Sequence, residues 1–168
     1  MDEHRVGLHS TVRRVWAPTG RALSASVQMV YHWLYLFAWV RPTTGDTFWL
    51  LLPTVSLEVM ALAWREFAAA VGASVTHPIW VVWDQAGWHG AVPEDLAPGF
   101  RVFFLPSHSP ELQPAERLWQ FIDEPVVNKA FSSMTDLENV LEERARYLMA
   151  HPETLQATTC FHWWPKAA

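Results

Sequence analysis

A chain of 168 residues, 51% of them apolar and only 17% charged, excludes a disordered polymer and is long enough to bury a substantial core within one domain. Its formal net charge of −5, from 17 acids against 12 Lys and Arg, excludes a strongly basic nucleic-acid binder, so any contact with DNA must be local. The single cysteine, Cys160, excludes an internal disulfide framework and a multi-cysteine zinc site and fits a reducing cytoplasm.

The opening segment, DEHRVGLHSTVRRVWAPTG, carries Val6, Leu8, Val12 and Val15-Trp16 up to the turn formers Pro18-Thr19-Gly20, and predicts a strand or hairpin. No signal peptide is read there. The apolar run from Val27 to Val40 is broken by Gln28 and His32 and followed by Arg41-Pro42, too short and too polar for a membrane span. Within it, YHWLYLFAWVRP, the turn TTGD and TFWLLLP predict two antiparallel strands. From Thr54 the period changes: Leu57, Met60, Leu62-Ala63, Phe67 and Val71 predict a helix of about four to five turns that stops at Gly72. PIWVVWD and FRVFFLP read as fully buried strands separated by the turn-rich VPEDLAPG. After Pro114, ERLWQFI is helical. A capping box at Thr135-Asp136-Leu137-Glu138 then predicts a helix with Leu137, Val140, Leu141 and Leu148 on its buried stripe. The tail FHWWPKAA gives little information. Hairpin, helix, alternating strands and connections, then helices argue for a mixed α/β sheet flanked by helices.

In an open sheet, ligands gather at strand ends. Asp84 ends one predicted strand, and Pro106 closes the next with SHSPELQPAE behind it. If the two strands are neighbours, Asp84 meets Glu116, the acid at the start of the following helix. Asp2 and Glu3 head the first strand. Three converging carboxylates repel one another, and a divalent cation neutralises such a cluster. All-oxygen ligation suits magnesium or manganese, and two such ions roughly 3.5 to 4 Å apart serve in-line displacement at a phosphodiester. Spacing alone is a weak signal, because any three of 17 acids can be picked.

Three blocks carry a more specific signal. DEHRVGLHSTVRRVWAPTG, VVWDQAGWHGA and FFLPSHSPELQPAERLWQFI resemble, in order, the catalytic blocks of DDE transposases of bacterial insertion sequences related to the mariner superfamily. The resemblance covers roughly residues 2–150. It departs from the family pattern at Gln85, Ser107-His108, Gln113 and Ala115, all neighbours of the acids. It implies an RNase H-like fold, with Asp2, Asp84 and Glu116 as catalytic metal ligands for two Mg2+ or Mn2+ ions. The activity implied is DNA strand cleavage and strand transfer at transposon ends. The partners implied are terminal inverted repeats, target DNA and a second copy of the chain, in the cytoplasm and at the nucleoid when bound to DNA. Relatives carry a helix-turn-helix region ahead of this domain. Residues 1–168 are therefore expected to form a single catalytic domain lacking that region and the start of its first strand. A different expectation follows from the same comparison: an inactive remnant that binds full-length transposase. A third is a housekeeping nuclease of the same fold.

Each residue also has an ordinary reading. Asp84 alone is a strand-end carboxylate capping the next turn, Glu116 a first-turn acid favoured by the helix dipole, and Asp2 a solvated terminal acid. Glu3 belongs to the surface or to a supporting hydrogen bond. His89 orients a water or phosphate, or is a satisfied structural histidine. His4, His9, His32 and His108 make no metal spacing. Arg13 and Arg14 meet phosphates or pair with acids. Ser107 and Ser109 lack a nucleophile-elbow pattern. The eleven tryptophans pack the core or offer a stacking surface for bases.

Overall fold

The computed structural model describes residues 1–162 and Trp164. Strands β1 (Asp2–His9), β2 (Met29–Val40) and β3 (Thr47–Leu52) form an antiparallel sheet in that order, and β4 (Ile79–Trp83) pairs in parallel with β5 (Phe100–Phe104). The Met1 amino nitrogen donates to the Val82 carbonyl at 3.1 Å, which brings β1 beside β4. Helices α1 (Leu57–Val71), α2 (Trp119–Ile122), α3 (Met134–Ala150) and α4 (Pro152–Thr159) flank these strands. This is the mixed α/β arrangement that the order of elements predicts.

Strand β2 explains how the layers assemble. Its successive side chains point to opposite faces. Leu34, Leu36 and Ala38 enter a core with Val6 and Leu8 of β1 and with Leu118, Ile122, Leu137, Leu141, Leu148 and Leu155 from the C-terminal helices. Phe37 and Trp39 enter a second core with Met60, Trp64 and Phe67 of α1 and with Val81, Trp83 and Phe100 of the parallel pair. A strand covered on both faces reads as one unbroken apolar run, as residues 33–40 of β2 do. Helix α1 buries Met60, Ala63, Trp64, Phe67 and Ala68 at helical spacing. Its N-terminus is capped by the Ser56 hydroxyl, which accepts from the Val59 N–H, and it stops at Gly72 in the left-handed region at φ 63°.

Four sequence expectations are corrected. The first strand ends at His9, and residues 10–28 form an exposed arm without regular structure, so Val12, Val15 and Trp16 are solvent-facing. That arm is pinned at its root by Asn128, whose side chain accepts from the Arg13 N–H and donates to the Arg13 carbonyl. Neither β4 nor β5 is fully buried: Trp80 is 65% exposed and Phe103 52%, and the two rings stack at 4.9 Å on a face that no helix covers. The cap of α3 is Ser133, whose hydroxyl accepts from the Asp136 N–H, and Thr135 lies inside the helix. Helix α4 carries no strong apolar stripe and was not foreseen; Leu155 and Thr159 are its buried residues.

The hairpin turn between β2 and β3 needs its glycine. Gly45 has φ 81°, and a Cβ built there would lie 1.9 Å from the carbonyl oxygen of Pro152 at the head of α4. Gly45→Ala is expected to cost at least about 2 kcal/mol, read as a lower urea midpoint with an unchanged slope.

Candidate active site

The carboxyl ends of β4 and β5 lie side by side, with Trp83 paired to Phe104 and the Leu105 N–H donating to the Trp83 carbonyl at 2.8 Å. Beyond them the chain opens a pocket of about 300 Å³, lined among others by Asp84, Gln85, Ser107, His108, Gln113 and Glu116. Pro110 and Pro114 begin two successive 3₁₀ turns, Pro110–Leu112 and Pro114–Leu118. The second buries Pro114, Ala115 and Leu118, which leaves Glu116 on its opposite side, toward the pocket. Asp84 and Glu116 are thus brought to one cavity, as neighbouring strands require.

Asp2, which the sequence places at a terminus where acids are ordinarily solvated, lies inside the protein at 7% exposure. The indole N–H of Trp119 donates to its Oδ2 at 2.8 Å. Burial pushes the Asp2 carboxyl up to about 7; the charge of Glu116 adds to the rise, and the Trp119 hydrogen bond partly offsets it. Glu116 is also held above the ordinary carboxylate range, by burial and by the charge of Asp84, with His4 opposing. Asp2 therefore feels Glu116, and Glu116 feels Asp84.

The wall behind Trp119 is built from other polar residues. His4 stacks on the indole at 4.9 Å and reaches Asp123 through Nε2 at 2.9 Å. Asp123 also accepts from Arg13 at 2.5 Å. Arg13 is accordingly committed to a buried acid, whereas Arg14 stays exposed.

Asp84 is 47% exposed and does what a strand-end acid ordinarily does: its Oδ1 accepts from the Ala86 N–H at 3.3 Å. His89 Nδ1 donates to the Asp84 backbone carbonyl at 3.2 Å and lies in ion-pair contact with the same Oδ1. His89 is fully buried, its ring 4.4 Å from that of Trp83, and its Nε2 meets Glu3 Oε2 at 2.7 Å. Carboxylate oxygens only accept, so both imidazole nitrogens carry protons. Burial works against that charge, but the hydrogen bond His89 donates to Glu3 and the charges of Glu3 and Asp84 raise the His89 pKa above its ordinary value. Glu3 is buried and not a surface acid; its Oε2 also accepts from the Trp88 indole at 3.4 Å, while its Oε1 has no partner. Glu3 and His89 are the residues whose joint role sequence reasoning missed. The only signal available was their position inside the two blocks that hold Asp2 and Asp84.

The donor set suits a hard cation. Glu116 is an exposed carboxylate whose side chain accepts no hydrogen bond from the described residues, and Asp84 keeps one oxygen free of bonds to them. Among the described residues, as the side chains stand, no three His, Cys, Asp or Glu form a closed metal-binding cluster. Magnesium tolerates this, because it binds through one or two carboxylates and fills its remaining positions with water and substrate phosphate oxygens. Ser107 and Ser109 also line the pocket, but Ser109 Oγ reaches only the Ser107 carbonyl, so no serine–histidine pair is formed there.

Comparison with known proteins bears on the fold and the family. The chain is similar over 109 residues, at 36% identity, to the uncharacterized protein y4pE/y4sA of Sinorhizobium fredii, covering 62% of this chain and 77% of that one. Among solved structures it is similar to the Mos1 mariner transposase. Against the paired-end complex with Mn the TM-score is 0.58 at 15% identity, covering 96% of this chain and 55% of that chain. Against the strand transfer complex it is 0.58 at 14% identity, covering 96% and 54%. The fold is thus RNase H-like, similar to that of the Mos1 transposase, and the chain spans about half the length of the Mos1 chains it matches. The family model described as DDE superfamily endonuclease matches residues 1–138, most of the sequence, and the chain belongs to that family.

Proposed function

We propose that this chain cleaves and joins DNA strands at transposon ends, with Asp2, Asp84 and Glu116 holding two divalent cations, Mg2+ or Mn2+. The observation that carries the reading is the meeting of Asp84 and Glu116 in one pocket at the carboxyl ends of β4 and β5, with Asp2 coupled to Glu116 beside them. Cations bound there would supply an activated attacking oxygen and a stabilised leaving oxygen for in-line displacement at phosphorus. The chain's own task is to present acidic oxygens at a fixed spacing beside an open cavity and to keep Asp2 away from bulk water. The partners under this reading are terminal inverted repeats, target DNA and a second copy of the chain, since Mos1 is seen in paired-end complexes.

Crystals equilibrated with millimolar manganese test the proposal. Anomalous peaks within ligand distance of Asp84 and Glu116 are expected, together with manganese-dependent nicking of supercoiled DNA carrying the element's ends. An acidic pocket that takes up no manganese would sink it and favour the alternative, a non-catalytic binding partner of full-length transposase.

A further inference from the structure

We infer that His89 is a positioning residue for the cation site: anchored by Glu3, its imidazole commits one oxygen of Asp84 to the chain and leaves the other for the metal. The inference rests on the reading of Asp84 as a cation ligand. Asp84 directly follows Trp83, the last residue of β4. The chain then folds back, the His89 N–H bonding to the Ala86 carbonyl at 2.9 Å, and this turn returns the imidazole to the acid five residues before it. The hydrogen bond from the Ala86 N–H and the ion-pair contact from His89 Nδ1 both fall on Asp84 Oδ1, and Nδ1 also donates to the Asp84 backbone carbonyl at 3.2 Å. Only Oδ2 remains unengaged.

The imidazole is itself fixed from behind. Its Nε2 reaches Glu3 on β1 at 2.7 Å, and its ring rests on Trp83 at 4.4 Å with the edge of Trp88 at 6.1 Å. Glu3 follows Asp2 directly, so one short stretch of β1 delivers the buried acid Asp2 and the anchor behind Asp84. The line Glu3, His89, Asp84 is the arrangement by which proteins orient ligating carboxylates, through a partner one shell behind them. A purely structural tie between β1 and the loop would need only the bond to Glu3. Beyond its loop-closing bond to the Asp84 backbone carbonyl, Nδ1 adds an ion-pair contact to the carboxylate of a half-exposed acid that lines the pocket.

Two substitutions separate these roles. His89→Asn keeps an N–H near the Nδ1 position and so retains the bond to Asp84. His89→Gln reaches the Nε2 position and retains the bond to Glu3 alone. Manganese affinity is measured by titration calorimetry and by the loss of the free Mn2+ paramagnetic resonance signal, with melting in EDTA recorded in parallel. His89→Asn is expected to bind manganese within about threefold of the parent and His89→Gln about 10- to 100-fold more weakly, with similar melting temperatures. Should either variant fail to fold, Glu3→Gln takes its place, with about tenfold weaker binding expected. Equal affinity in the parent and His89→Gln, or a loss that follows melting temperature in both variants, overturns the positioning role and leaves Asp84 as a ligand. A parent chain that takes up no manganese removes the cation reading itself, and the inference with it.

Discussion

Asp84→Asn and Glu116→Gln are each expected to lower manganese-dependent DNA nicking by more than about a hundredfold, more than losing an outer partner of a metal ligand ordinarily costs. Both changes keep size and shape and remove one negative charge from a pocket that holds too many. Neither residue contributes to the two apolar cores, so far-ultraviolet circular dichroism should stay unchanged. The charge logic adds a second readout. Glu116 ionises reluctantly partly because Asp84 is charged, so Asp84→Asn should let Glu116 titrate lower in the metal-free protein. Nicking by Asp84→Asn at the parental rate would remove Asp84 from the chemistry, whatever the pocket looks like.

Asp2→Asn should stabilise the metal-free protein, and only at higher pH. In the fold the Asp2 carboxyl is raised from 3.8 to about 7, by burial first and by the charge of Glu116 next. A carboxyl with a raised folded-state pKa favours the fold while protonated. Its contribution is intact below the unfolded value and is lost as pH rises through the window from about 4 to about 7. Asparagine cannot ionise and still accepts from Trp119. Each pKa unit is worth about 1.4 kcal/mol, so the advantage over the parent should be near zero at pH 4 and grow to at most about 4 kcal/mol at pH 8. For a chain of this size that is on the order of 10 °C in melting temperature. Manganese should reverse the order, because the parent gains binding energy that the variant lacks. A flat difference between pH 4 and pH 8 would mean that Asp2 is not buried against Glu116.

Much of this was legible along the chain because the signals are local. The hairpin follows from two aromatic and β-branched runs around TTGD, α1 from the spacing of Met60, Ala63 and Phe67, and the shared pocket from an acid at the end of one strand and an acid at the head of the helical segment behind its neighbour. What failed was decided elsewhere in space. An apolar run does not reveal that Trp80 and Phe103 face a side left uncovered. Ser133 and Thr135 each stand three residues before an acid, and only packing of the following leucines chose the first. Asp2 reads as solvated until an indole 117 positions later reaches it, and Glu3 reads as either a surface acid or a supporting hydrogen-bond partner until His89 closes on it across 86 positions and decides for the second. The Arg13–Asp123 pair spans 110 positions and hides in the same way.

The docking of α4 onto the β2–β3 turn carries a consequence for biosynthesis. The Gln156 side chain donates to the Thr43 carbonyl at 2.6 Å across 113 positions, and Leu141, Leu148 and Leu155 complete the apolar layer beneath β1 and β2. On the ribosome, the first three strands are made long before the residues that cover them, and the edge strand TFWLLL waits with an open backbone. Nascent chains stalled before residue 150 should therefore recruit holdase chaperones, and those released after α4 has emerged should not.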